Sequence, residues 1–165
     1  MASAKDVVLQ QLQSGRKMIE TFTGDLSDEE YFKPAAPNSN HAGWIVGHLA
    51  VSEDWLVSKT TGKPPRIEQA LHELLGGSSQ CIADASKYPS RSALNELFYN
   101  SRANTVEALK QFDERRWDEP APEELPKEFF PTLGAIWGMQ GVHQYWHIGQ
   151  LTTCRRALNK KLLLG

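Results

Sequence analysis

The nine prolines constrain this chain more than any other feature. They stand at 34, 37, 64, 65, 89, 120, 122, 126 and 131. Proline removes a backbone donor and clashes with the preceding helical turn, so it is excluded from helix interiors. The proline-free stretches are therefore the candidate helices. The first runs from about Ser3 to Thr23, with Val7, Val8, Leu12, Ile19 and Phe22 on an apolar stripe and Gly24 after its end. The second runs from about Asn40 to Thr60, with Ser39 or Asn40 as the expected N-cap. The third runs from about Ser90 to Phe112, where Leu94, Leu97, Phe98, Val106 and Leu109 recur at helical spacing. The fourth follows Pro131 and reaches about Leu158.

The intervals hold no convincing strand and no internal repeat. Residues 66–88 are ambiguous: Ile67, Leu71, Leu74 and Leu75 suggest a short helix before the Gly76-Gly77-Ser78-Ser79 break. Residues 113–131 carry seven acidic residues and four prolines, which reads as a solvated irregular loop. Four long helices in 165 residues point to one all-α domain, a four-helix bundle spanning 1–165. The first two helices are joined closely enough to be antiparallel neighbours. The connection from the second to the third is roughly 30 residues, enough to cross the bundle and leave those helices parallel.

Composition excludes several functions. The net charge is −2 and basic residues are scattered, which argues against a general nucleic-acid surface. Arg155, Arg156, Lys160 and Lys161 form a small C-terminal cluster, read as cations complementing a helix dipole. The N-terminus lacks the apolar run of a signal peptide, and no stretch approaches the roughly 20 apolar residues of a membrane span. Cys81 and Cys154 are far apart and form no CxxC, so no disulfide framework is expected. The expected location is the cytoplasm.

The chemistry sits in HQYWHIGQ, His143 to Gln150. Residues four apart share a helix face, so His143 and His147 can hold one metal ion together. Neutral imidazole suits zinc, nickel, iron or copper, and two ligands from one turn need a third from elsewhere. His48 lies near the middle of the second helix, at the depth of the pair if the two helices pack with centres aligned. His41 is about two turns away and reads as a cap or pocket-mouth residue. His72 reads as a surface residue. Against this stands the plainer reading that these imidazoles are satisfied core groups, since an HxxxH pair also arises by chance.

Around the pair, the fourth helix carries Gly134, Gly138, Gly141 and Gly149, which calls for close helix approach or room for a ligand. Trp44, Trp55, Trp137 and Trp146 either wall a pocket or fill the core. Tyr99 and Arg102 are further pocket candidates. Glu53 reads as a solvated or salt-bridged carboxylate, Cys154 as a small buried hydrophobe, and Gln150 as a group that orients a ligand or an imidazole. No general base is evident.

Two segments resemble a known family. NHAGWIVGHLAVSEDWL, from Asn40 to Leu56, is similar to the second helix of DinB-like proteins, and HQYWHIGQLTTCRRAL, from His143 to Leu158, to their last helix with its HxxxHxGQL pattern. The resemblance extends over essentially the whole chain. It implies a four-helix bundle of up-down-down-up topology. It also implies a divalent metal, commonly zinc or nickel with iron possible, held by His48, His143 and His147, and in many members a homodimer. Relatives include S-transferases and isomerases using low-molecular-weight thiols, the metal domain of an ergothioneine-forming sulfoxide synthase, and metal-dependent hydrolases of undefined substrate. The sulfoxide synthase branch has HxxxHxE; Gly149 stands at that acidic position here, which disfavours that branch. The expected function is therefore a metal-dependent enzyme acting on a small molecule, by thiol transfer or hydrolysis. The alternative is a non-catalytic metal-binding bundle with a structural or stress-sensing role.

Overall fold

The structure is a computed structural model that describes residues 2–161 and 163. Four long helices dominate: α1 (Ala4–Thr23), α3 (Ala42–Thr61), α5 (Arg91–Gln111) and α6 (Leu133–Ala157). Two short ones lie between them, α2 (Asp28–Tyr31) and α4 (Gln69–Leu75). No strand is formed among the described residues beyond one isolated bridge between Pro120 and Thr132.

Local chemistry accounts for the helix ends. A capping box opens α1, with the Ser3 hydroxyl accepting from the Asp6 N–H and the Asp6 carboxylate accepting from the Ser3 N–H. Ser90 and Thr132 cap α5 and α6 in the same side-chain-to-backbone manner. At α3 the expectation of Ser39 or Asn40 is corrected. The cap is His41, in extended conformation, whose Nδ1 accepts from the Trp44 N–H at 3.0 Å. Asn40 is drawn away to Gln150, and Ser39 closes its own turn with Ala36. Gly62 ends α3 at φ 71°, a left-handed conformation that glycine adopts without steric cost.

Side-chain contacts set the helix directions. Gln144 meets Gln11 and Arg155 meets Phe22, so α1 and α6 run parallel. Ser101 meets Ala50 and Arg102 meets Glu53, while Leu94 lies against Gly47, so α3 and α5 run parallel. His48 lies near His143, and Asn40 near Gln150, so α3 and α6 are antiparallel. Lys5 reaches Phe112 and Arg102 reaches Leu12, so α1 and α5 are antiparallel. The result is an up-down-down-up four-helix bundle. The main packed pairs are α3 with α5, α1 with α6, α3 with α6 and α1 with α5. α1 and α3 are thus antiparallel but diagonal, not the neighbours expected; α3 is occupied on its flanks by α5, α6 and α4.

Two apolar clusters form the core. One gathers Ile19, Phe22, Tyr31, Ile45, Leu49, Phe98 and Leu151. The other gathers Val8, Leu12, Leu56, Leu109, Phe112, Ile136 and Trp137. Along each helix, buried polar residues separate the two: Glu53 on α3, Arg102 and Thr105 on α5, and Gln140 and Gln144 on α6. Gly15 makes room on α1, because a Cβ there would run into the Gln144 amide. Gly134 and Gly141 likewise admit Trp117 and Gln11, whereas Gly138 and Gly149 face open space. Arg155 is not a dipole-complementing surface cation. It is buried, paired with Asp25, and donates to the Phe22 carbonyl. Cys81 and Cys154 are both free.

Candidate metal centre

His48 on α3 and His143 and His147 on α6 converge across the α3–α6 interface. One nitrogen of each lies within 4.8 Å of the others. His143 Nε2 is 3.0 Å from His147 Nε2 and 3.3 Å from His48 Nε2. A tetrahedral ion with metal–nitrogen bonds of about 2.0–2.1 Å has ligand–ligand edges of about 3.3 Å, so the spacing suits one ion.

The outer nitrogens decide which atoms face inward. His48 Nδ1 is 2.7 Å from the Leu75 carbonyl oxygen, which can only accept, so this nitrogen carries the proton and Nε2 is bare. His147 Nδ1 is 3.0 Å from Gln150 Oε1, an acceptor that also takes the Asn40 amide N–H at 3.1 Å. His147 Nε2 is therefore bare as well. A proton on His143 Nε2 can satisfy only one of these two lone pairs, and the Ser52 hydroxyl lies 3.4 Å from His48 Nε2, whereas a shared cation satisfies all three imidazoles. Carbonyl and amide partners of this kind fix imidazole tautomer and orientation in metal sites. Trp44 supports the arrangement by stacking on His48, with ring centroids 4.5 Å apart and planes 8° from parallel.

Burial keeps these rings neutral. It lowers His147 to about 4 and, with the neighbouring imidazoles adding to it, His143 to about 3. His48 is lowered for the same reason, and His41 is brought down to about 4 by burial. In the unfolded chain each would titrate near its ordinary value of about 6.5. Unfolding therefore takes up protons between about 6.5 and 4, and stability falls as pH drops through that window. The urea midpoint of metal-free protein is expected to be lower at pH 5.0 than at pH 7.5. An equal or higher midpoint at pH 5.0 would contradict this neutral, buried state.

Two of the three histidines, His48 and His143, line a cavity of about 650 Å³, and His147 lies behind them. Trp55 and Trp146 line it. Trp44 sits behind His48, while Trp137 belongs to the distal core against Phe112. Tyr99 and Arg102 do not reach the cavity. Tyr99 lies under the Arg16 guanidinium, and Arg102 is buried against Glu53 on the α5 flank of α3. Glu53 takes the salt-bridge option, but in the interior and not in solvent. Cys154 behaves as a buried thiol, its S–H donating to the Asn40 carbonyl and its pKa pushed by burial up to about 11. A second cavity of about 360 Å³, between the ends of α3 and α5, contains none of the three imidazoles.

His72 corrects the surface reading. It is half-buried, lines the larger cavity, and its Nε2 is 3.2 Å from Asp54 Oδ2. Its place depends on α4 folding against α3, which no local spacing announces. The Leu75 carbonyl on the same helix was equally invisible, because a backbone acceptor leaves no residue-type signal.

A helical bundle with three converging imidazole nitrogens beside an apolar cavity defines a class of candidate metalloprotein. The DinB superfamily model matches residues 11–151, and the chain belongs to that superfamily. No curated protein matches it. Among solved structures, a conserved protein from Enterococcus faecalis is similar at TM-score 0.76 and 16% identity, covering 97% of this chain and 100% of the other. YfiT from Bacillus subtilis is similar at TM-score 0.67 and 18% identity, covering 95% of this chain and 89% of YfiT. YfiT is described as a probable metal-dependent hydrolase with an unusual four-helix bundle topology. At these identities the likeness is one of fold. No described helix is long and apolar enough to cross a membrane.

Proposed function

We propose that His48, His143 and His147 hold one divalent ion, zinc or nickel, and that the centre hydrolyses a small molecule. The observation that carries this is the convergence of three imidazole nitrogens, two of them held bare by outer partners, beside an open cavity. An ion bound by three protein ligands keeps an open position and, in favourable cases, lowers the pKa of its water to near 7. The protein's own residues do the rest. Leu75 and Gln150 hold His48 and His147 in register, and the aromatic lining limits water around the reacting group. The description of YfiT supports the same reading.

Thiol transfer is the second reading. No Asp or Glu is among the residues lining the cavity, so a nucleophile that needs no separate base gains weight. An ion held by His48, His143 and His147 would supply that chemistry by deprotonating a thiol ligand.

Untagged protein is expected to take up about one equivalent of zinc or nickel. A panel of esters and amides, run beside thiols with monochlorobimane, then separates the two reactions. Metal-dependent turnover in the first panel supports hydrolysis, and in the second alone thiol transfer. Stoichiometric metal with no turnover in either moves the reading to a structural or sensory centre. No uptake on titration defeats the metal assignment.

A further inference from the structure

The cavity beside the imidazoles has a chemical character of its own. Trp55, Phe129, Phe130, Met139 and Trp146 are among the apolar residues of its wall. Trp146 is 70% exposed and Phe129 58%, so large aromatic surface faces solvent at the mouth. Among the described residues that line the cavity there is no Lys, Arg, Asp or Glu. In the metal-free cavity a charged ligand loses hydration without gaining an ion pair from these side chains, which is costly.

One polar group in this wall is held ready. Asp54 is buried and accepts the backbone N–H groups of Arg66 and Ile67, each at 3.0 Å. The same carboxylate accepts from His72 Nε2–H, with Nε2 3.2 Å from Asp54 Oδ2. In the Nε2–H tautomer Nδ1 is an acceptor, and it has no hydrogen-bond partner among the described residues. The arrangement follows the logic by which a carboxylate sets the tautomer of a working histidine. His72 sits on the same short helix as the carbonyl that orients His48, with His72 and Leu75 sharing one turn of α4.

We infer that this cavity takes an uncharged, aromatic small molecule, anchored by one hydrogen-bond donor on His72 Nδ1, with Asp54 as the positioning residue. The inference deepens the enzymatic reading and rests on it for the reaction, but the binding preference is measurable without turnover. A molecule lying between His72 and the imidazole cluster has its polar end anchored while its apolar body meets the aromatic wall. The volume of about 650 Å³ is in the range of small-molecule sites.

The test uses three probes on the full chain, zinc-loaded and chelator-treated: 2-naphthol, 2-methoxynaphthalene and 2-naphthoate. Binding is read by quenching of tryptophan fluorescence. In chelator-treated protein 2-naphthol is expected to bind roughly three- to tenfold more tightly than 2-methoxynaphthalene, the worth of one hydrogen bond. 2-Naphthoate is expected to bind at least about tenfold more weakly than 2-naphthol. His72→Phe should erase the difference between the first two while keeping zinc stoichiometry. The ring ¹⁵N spectrum of wild-type His72 should show the proton on Nε2, and Asp54→Asn should shift that tautomer balance. The inference is overturned by preference for 2-naphthoate in chelator-treated protein, by equal binding of 2-naphthol and its methyl ether, or by no binding of 2-naphthol. The probe comparison in wild-type protein stands even if the His72 variant fails to fold. Failure of metal uptake or turnover would defeat the enzymatic reading while leaving these binding ratios intact. Turnover with unaltered 2-naphthol binding in His72→Phe would defeat the anchor alone.

Discussion

Replacing His147 with alanine is expected to abolish stoichiometric binding of zinc or nickel. His147 supplies one of the three converging nitrogens, 3.0 Å from His143 Nε2, and is the partner through which Gln150 and Asn40 brace the cluster. Losing an outer partner alone typically costs 10–100-fold in metal affinity, so loss of the ligand itself should exceed about 100-fold. Isothermal titration of the metal-free proteins measures it. His41→Ala is the matched control. It removes an equally buried imidazole, but one committed to capping α3, so it should cost about 0.5–2 kcal/mol of stability and leave metal affinity unchanged. If His48→Ala binds as tightly as wild type while His41→Ala does not, the third ligand has been misassigned.

The largest effect on stability is expected at Arg102. Its Nε lies 2.9 and 3.1 Å from the two Glu53 carboxylate oxygens, and its guanidinium also donates to the Leu12 carbonyl. Both side chains are almost wholly buried, at 2% and 3% exposure. Arg102→Ala leaves the Glu53 charge in the interior without a partner, which typically costs about 3–5 kcal/mol. Chemical denaturation should show that loss as a shifted midpoint. The double variant Glu53→Leu, Arg102→Met removes both charges and should recover most of it, because a buried ion pair replaced by apolar groups of similar size is often neutral. A loss under about 1 kcal/mol in Arg102→Ala would show that Glu53 finds water or another partner once the guanidinium is gone.

These two sites differ in how far the residue pattern reveals them. His143 and His147 announce themselves through helical spacing, and His48 through its depth in α3. The three nitrogens lie within 4.8 Å of one another. Glu53 and Arg102 are ordinary surface-type residues in sequence, and nothing near them signals burial. Their pairing needs α5 to lie parallel to α3, which follows from the long connection between those helices. His72 escaped for a similar reason. Its environment is made by Asp54, eighteen residues earlier, and by the fold of α4 under α3. The four tryptophans divide along the same line, since only the packing separates Trp55 and Trp146 at the cavity from Trp137 in the distal core.

Helix number, extent and much of the capping are local matters. Proline exclusion, apolar periodicity and side-chain caps act within a few residues, so the sequence alone determined them, along with two thirds of the imidazole cluster. The order of helices around the bundle, the buried ion pair, the carbonyl that orients His48 and the carboxylate that holds His72 depend on groups far apart in the chain. They form only where packing excludes water and makes an unpaired polar group costly, and that cost exists only in the tertiary structure.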